Sequence, residues 1–166
     1  MAMNEITAGD LWERRSKLED EAASLLGHML FEFSRLEVNL ALCLVWVDGG
    51  RNLESLTKSV ESQNFKTKLD ELSKYLDARL SRGSKGHSAY ESWIQRAHVA
   101  RQQRNNLVHG RWGVEALKNC VVNVIGLPTS ETQQVIEYSI EELAAINSEL
   151  RHLQSELRRM REHWPL

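Results

Sequence analysis

The chain has 166 residues, of which 42% are apolar and 27% are charged, and its formal net charge is −2 at pH 7. These values predict one soluble globular domain over residues 1–166, and they exclude a collagen-like chain and a protein that is basic throughout. The longest apolar run, residues 40–47, is far shorter than the roughly 20 residues that span a bilayer. Residues 1–10 have no secretory pattern. We therefore expect a cytoplasmic protein without membrane association, whose Cys43 and Cys120 are free, buried thiols.

The first predicted element is a helix from about Asp10 to Val47, because apolar residues recur there at steps of three and four. Asp10 and Glu13 have the spacing of a capping box at its start. The same periodicity predicts three further helices, at about residues 53–60, 64–80 and 87–108. Gly110 follows the last of them and is expected to cap its carboxyl end.

Three short segments rich in β-branched and aromatic residues then interrupt the helical pattern. They lie at residues 112–115, 120–125 and 134–138, with turn residues between them. The last helix begins after Ser139, where Glu142 completes a second capping box. The predicted fold is mainly all-α: an up-down bundle of four to five helices, with a small antiparallel β meander (about 112–138) inserted before the last helix.

The last helix carries a heptad seam, since its apolar residues follow a 3-4-3-4-3-4 spacing from Leu143 to Trp164. Two interpretations are open, because helical bundles and coiled coils share one packing geometry. The seam either packs inside its own bundle or forms part of an interface with a second chain.

Charge is distributed unevenly along the chain. Residues 79–111 hold seven basic residues against Glu91 alone, a formal charge of +6, so the remainder of the chain carries −8. A basic segment in an acidic protein suggests an anionic ligand. The alternative is a solvated surface that acidic neighbours balance.

Arg104 is the unusual member of this segment, because it continues an apolar line formed by Trp93, Ala97, Ala100 and Leu107. A guanidinium on such a face needs a carboxylate, a phosphate or a water-filled cleft, since an unpaired buried charge is very costly. Glu37 falls on an apolar stripe of the first helix. The two residues therefore suggest either a structural ion pair or a functional site.

His109 lies at the end of the same helix. It would serve there as a C-terminal cap, because the helix dipole favours a cation at that end. It would equally suit proton transfer, because imidazole titrates near neutrality. On a regular helix, Arg104 and His109 differ by roughly 140° around the axis. Both would flank one groove only if the last turn unwinds or if a second subunit contributes.

Several chemistries have no motif in this sequence. No paired metal-ligand spacing, no Gly-rich phosphate loop and no nucleophile elbow is present. We therefore expect neither a metal nor a cofactor.

The segment from Arg104 through Asn105 to His109, followed by Gly110, resembles the RX4-6H motif of the HEPN superfamily. The likeness extends to the helical bundle, to the motif's place at the end of a late helix and to Glu37 in an early helix. The β insertion is a departure from the minimal bundle of that family.

The resemblance implies a metal-independent endoribonuclease, related to toxins or phage defence, that places two motifs across one cleft in a homodimer. His109 would transfer protons, Arg104 would hold the scissile phosphate and Asn105 would orient both by hydrogen bonding. Glu37 would fix Arg104. The substrate-binding residues would be Arg101, Arg111 and His98. The partners implied are RNA, a second copy of the chain and a cognate antitoxin or other protein.

Some members of the superfamily are not nucleases. The alternative function is therefore a non-catalytic helical module that binds nucleotides or other proteins, in which the Arg104–Glu37 pair is structural and His109 is only a cap.

Overall fold

The structure is a computed structural model that describes residues 6–166. Within them, the elements are α1 (Ala8–Val45), α2 (Leu53–Glu61), α3 (Phe65–Arg79), α4 (Lys85–His109), β1 (Arg111–Glu115), β2 (Cys120–Ile125), β3 (Gln134–Tyr138) and α5 (Ile140–His163). The predicted class, mainly helical with an antiparallel meander before the last helix, is confirmed.

One predicted capping box is correct and the other is wrong. Before α5, the Ser139 N–H donates to Glu142 Oε2 at 2.7 Å, and the Glu142 N–H donates to Ser139 Oγ at 3.1 Å. At α1, the reciprocal pair is Thr7 and Asp10, with distances of 2.9 and 3.1 Å, instead of Asp10 and Glu13. The helix therefore starts at Ala8, because Thr7, three residues before Asp10, already accepts a hydrogen bond from one of the free N–H groups of the first turn.

The three strands form one antiparallel sheet in the order β1-β2-β3. Trp112 pairs with Asn123 across β1 and β2, and Val122 pairs with Glu137 across β2 and β3. Asn119 makes the first turn in the left-handed region, with a φ of 55°, which asparagine tolerates better than most residues.

The chain divides into two compact units, and α1, α4 and α5 each contribute to both. The first unit comprises the described part of Met1–Leu30 together with Arg104–Asn147. In it, Asn147 Nδ2 donates to the Leu25 carbonyl at 2.9 Å, which ties the start of α5 to α1. The assignment of residues 1–166 to a single domain stays a prediction.

The second unit comprises Phe31–Gln103 and Ser148–Leu166. Trp93 lies in its core, where the indole Nε1 donates to the Leu153 carbonyl at 2.8 Å. Phe33 and Phe65 pack with their ring centroids 4.8 Å apart. These contacts join α4 to α5 and α1 to α3.

The heptad seam of α5 packs within its own chain. Six of its seven apolar residues are at most 9% exposed: Leu143, Ile146, Leu150, Leu153, Leu157 and Met160. The interpretation of the seam as intramolecular is therefore correct, since the side chains that a second chain would contact are already covered.

Both cysteines, Cys43 and Cys120, are free and buried. Burial raises the pKa of the Cys43 thiol to about 11, which leaves little thiolate at neutral pH. No helix of residues 6–166 is both long and apolar enough to cross a bilayer.

We expect Leu157→Ala to lower the free energy of unfolding by about 2–5 kcal/mol, because Leu157 is 1% exposed and the change opens a cavity. Urea denaturation measures this. Leu117→Ala is the control, because Leu117 is 69% exposed, and we expect it to change stability by less than about 0.5 kcal/mol. Dissociation of an oligomer by Leu157→Ala in sedimentation, at a concentration where the variant is folded, would contradict an intramolecular seam.

Candidate functional site

The residues of the RX4-6H-like motif lie in the last two turns of α4, which ends at His109. Arg104 continues the line of Trp93 and Leu107, which are 1% and 3% exposed, so the predicted apolar stripe is confirmed. Arg104 itself is half-buried, and its Nη1 donates to Asn105 Oδ1 at 3.2 Å. His109 is exposed. The segment thus presents an oriented guanidinium and an accessible imidazole near one helix end.

The carboxyl end of α4 is held by one rung of the β sheet. A helix leaves its last four carbonyl groups without partners inside the helix. Asn123 Nδ2 donates to the Asn106 carbonyl at 2.8 Å, and Trp112 Nε1 donates to the Leu107 carbonyl at 3.0 Å. Trp112 and Asn123 are direct partners across β1 and β2. We call this pair the capping rung. It fixes the backbone between Arg104 and His109.

Gly110 does not cap α4 in the way that the sequence suggested. It is not among the residues with positive φ, so it forms no left-handed C-cap. Its role is close approach: a Cβ at Gly110 would lie 1.3 Å from Asn123 Oδ1. Only glycine leaves room for the buried amide that bonds the helix end.

Asn123 is the residue that sequence reasoning missed. It is fully buried in β2, and within residues 6–166 its Oδ1 accepts no hydrogen bond. A signal was present in the sequence, because an amide interrupts the apolar strand Cys120–Ile125. A buried amide in such a strand must find a partner, which here is the backbone of α4.

The predicted substrate-binding residues are divided between the two units. Arg111 is exposed at the start of β1 in the first unit. His98 and Arg101 are half-buried on α4 in the second unit. Burial, with Arg101 adding to it, lowers the pKa of His98. The lowered pKa favours the neutral form of the His98 imidazole.

Glu37 has a partner that the sequence did not predict. In the second unit, Lys68 Nζ donates to Glu37 Oε1 at 2.9 Å. The Lys68 side chain is 7% exposed, so this ammonium depends on the carboxylate for its charge balance. The role of Glu37 as the residue that fixes Arg104 stays a prediction.

Two members of the basic segment are paired with carboxylates from outside it. Arg96 donates to Glu149 at 2.7 Å and to Glu156 at 2.6 Å. Arg82 lies 3.6 Å from Asp77. The +6 formal charge of residues 79–111 therefore overstates the cationic character of that surface.

The motif can perform two kinds of chemistry: anion binding by a guanidinium and proton transfer by an exposed imidazole. Within residues 6–166, no cluster of three or more His, Cys, Asp or Glu side chains is arranged to hold a metal ion.

Comparison of the chain with protein-family models, with curated proteins and with solved structures finds no match.

We expect Gly110→Ala to destabilise the protein by about 1–3 kcal/mol, because the new methyl group overlaps the Asn123 amide. Thermal or urea denaturation gives the value. Gly27→Ala is the matched control: Gly27 is inside α1 with nothing within 4 Å of its Cβ position, so alanine should stabilise by up to about 1 kcal/mol. Equal effects of the two changes would contradict the close-approach role of Gly110.

A double-mutant cycle on Glu37→Gln and Lys68→Met should give a coupling energy above about 1 kcal/mol, because Lys68 is buried. The exposed Lys66–Asp70 pair has the same 2.9 Å separation and is the control. Its coupling should stay below about 0.5 kcal/mol. Indistinguishable couplings in the two cycles would mean that burial does not strengthen the Glu37–Lys68 pair.

Proposed function

We propose that the chain is a metal-independent endoribonuclease of the HEPN type that acts on RNA in the cytoplasm. The observation that carries the proposal is the grouping of Arg104, Asn105 and His109 at one end of α4. The Arg104–Asn105 hydrogen bond and the capping rung of Trp112 and Asn123 support it, because both hold the motif in a defined geometry. A role in a toxin–antitoxin or phage-defence system belongs to the same proposal.

The proposed reaction uses the substrate's own 2′-hydroxyl as the nucleophile. The 2′-oxygen bonds to the adjacent phosphorus and the bond from phosphorus to the 5′-oxygen breaks. The products are a 2′,3′-cyclic phosphate and a 5′-hydroxyl. One proton leaves the 2′-oxygen and one is delivered to the 5′-oxygen, and His109 is the group that moves them. DNA would not be cleaved, since it lacks the 2′-hydroxyl.

Arg104 would bind the non-bridging phosphate oxygens, because a guanidinium matches their geometry and charge. Negative charge on those oxygens grows as the phosphorus becomes five-coordinate, so a fixed cation there lowers the barrier. Asn105 would orient the guanidinium through the 3.2 Å hydrogen bond that it already accepts. Arg101, Arg111 and His98 would bind the RNA backbone on either side.

The working unit in this proposal is a homodimer with a composite site. One His109 acts at the 2′-oxygen and the His109 of a second copy acts at the 5′-oxygen, so that a base and an acid are present together. This arrangement also brings in the two arginines that a doubly charged transition state requires.

The alternative is a non-catalytic module that binds a nucleotide or another protein. The half-burial of Arg104 and its bond to Asn105 favour it, because both are also expected of a structural arginine. Under this alternative, Arg104→Ala lowers stability and no variant affects RNA.

We expect the purified protein to cleave a single-stranded RNA in EDTA and to leave 2′,3′-cyclic phosphate ends. Arg104→Ala and His109→Ala should each reduce the rate at least a hundredfold, since each removes a group that acts in the transition state. Gel analysis of end-labelled RNA measures the rate. The exposed His152 and Arg15 give matched controls, His152→Ala and Arg15→Ala, which should retain full activity.

Equal decay of RNA with the wild type and with both motif variants would reject the proposal. Cleavage of a substrate with a single 2′-deoxynucleotide at the scissile position would reject the 2′-hydroxyl mechanism.

Adding an excess of the His109→Ala variant to the wild type should lower the rate well below that of the wild type alone, because a mixed dimer holds only one of the two His109 side chains that the composite site needs. The same excess of His152→Ala is the control. An undiminished rate, while sedimentation shows mixed dimers, would contradict a composite site.

A further inference from the structure

Helix α1 has a second apolar face besides the one in the core. Phe31, Val38, Leu42 and Trp46 are 65%, 57%, 45% and 48% exposed. Their steps of seven, four and four place the first three along one side of α1 and Trp46 in line with them, one residue after the helix ends. We call them the exposed row. Single exposed apolar residues are normal on a protein surface, but a row of four on one side, interrupted by Arg35 between Phe31 and Val38, indicates a binding surface.

A groove runs beside the exposed row in the same unit, between α1 and α5. One cavity of about 430 Å³ is lined by Glu32 and Asn39 of α1 and by Arg151, Arg158 and Arg161 of α5. A second cavity of about 340 Å³ shares Arg158 and Arg161 and reaches Trp46. Trp46 thus belongs to both the exposed row and the groove wall, which makes them one surface.

The groove is cationic. Within residues 6–166, none of Arg151, Arg158 and Arg161 forms an ion pair, in contrast to Arg96, which holds two α5 carboxylates.

The groove's carboxylates offset this charge only in part. Glu32 is already bonded by Arg35 at 3.0 Å and by Gln154 at 2.8 Å. Glu162, on the wall of the second cavity, is the other carboxylate side chain there. Three arginines facing these two carboxylates favour a ligand that brings its own negative charge.

We propose that this surface binds an acidic amphipathic helix of a partner protein. The apolar side of that helix would cover the exposed row, and acidic residues along one flank would pair with Arg151, Arg158 and Arg161. Phe31 and Trp46 are 15 positions apart, or about 22 Å, which is the length of a four-turn helix.

The exposed row and the cationic groove disfavour two other ligands of this surface, an RNA strand and a second copy of the chain. An RNA strand stacks its bases on aromatic rings, but Val38 and Leu42 lie between the two aromatic residues of the row. A second copy of the chain, paired two-fold and antiparallel along α1, would bring the arginine-lined grooves to the same side, where like charges repel.

The test uses the full chain and three fluorescein-labelled peptides of 22 residues. The first carries leucine at heptad positions a and d with glutamate on the flanks, the second has lysine in place of every glutamate, and the third is a scramble of the first. Fluorescence anisotropy should show that only the acidic peptide of the three binds, and its affinity should fall as the salt concentration rises.

Val38→Asp should weaken the acidic peptide at least tenfold, and so should the double change Arg158→Glu with Arg161→Glu. The matched controls are Val99→Asp and Arg159→Glu, because Val99 is similarly exposed at 53% and Arg159 is exposed on α5 outside both cavities. Both controls should bind within twofold of wild type. Arg104→Ala should also bind normally, which separates this result from the fate of the ribonuclease proposal.

Four results would overturn the inference. The first is no binding of the acidic peptide, and the second is equal losses in Val38→Asp and Val99→Asp. The third is displacement of the acidic peptide by a 20-nucleotide poly-uridine whose own binding needs Arg158 and Arg161 but not Val38. The fourth is a dimer in sedimentation that Val38→Asp abolishes and Val99→Asp retains, since the row would then be covered by a second copy.

Discussion

The two hydrogen bonds of the capping rung, from Asn123 and Trp112 to the last turn of α4, are the contacts on which the candidate site depends. A helix end with unpaired carbonyl groups frays, and a frayed turn would not hold Arg104 and His109 in a fixed relation. Two paired side chains on neighbouring strands supply the donors, and Gly110 gives them space. This explains why a small β meander follows α4 directly: it serves as the cap of the helix that carries the motif.

Ion pairs between residues distant in sequence determine which surfaces of this protein remain cationic. Arg96 belongs to the basic segment in sequence, yet Glu149 and Glu156, more than 50 positions away, neutralise it. Arg158 and Arg161 lie in a stretch with nearby glutamates, yet they line a groove without ion pairs among the described residues. The cationic surface that remains is therefore smaller at α4 and larger at α5 than a linear count indicates.

The two faces of the long helix α1 have different environments. One face is buried from Leu18 to Leu44, and between the faces Glu37 balances the charge of the buried Lys68. The opposite face bears the exposed row. The motif and the exposed row belong to different units, so the proposed catalysis and the proposed partner binding use different residues of the chain.

Local signals determined much of this protein. Hydrophobic period located the helices, and β-branched and aromatic residues between turns located the three strands. Ser139 and Glu142 marked the start of α5, and the Arg104–His109 spacing marked the candidate site. These features depend on residues that are neighbours along the chain, where geometry is set by the period of the helix or strand. Tertiary structure decided the rest: Asn123 as the partner of the helix end, Lys68 as the partner of Glu37 and the seam of α5 as intramolecular. Each of these joins residues that are distant in sequence, and their proximity exists only once the chain has packed.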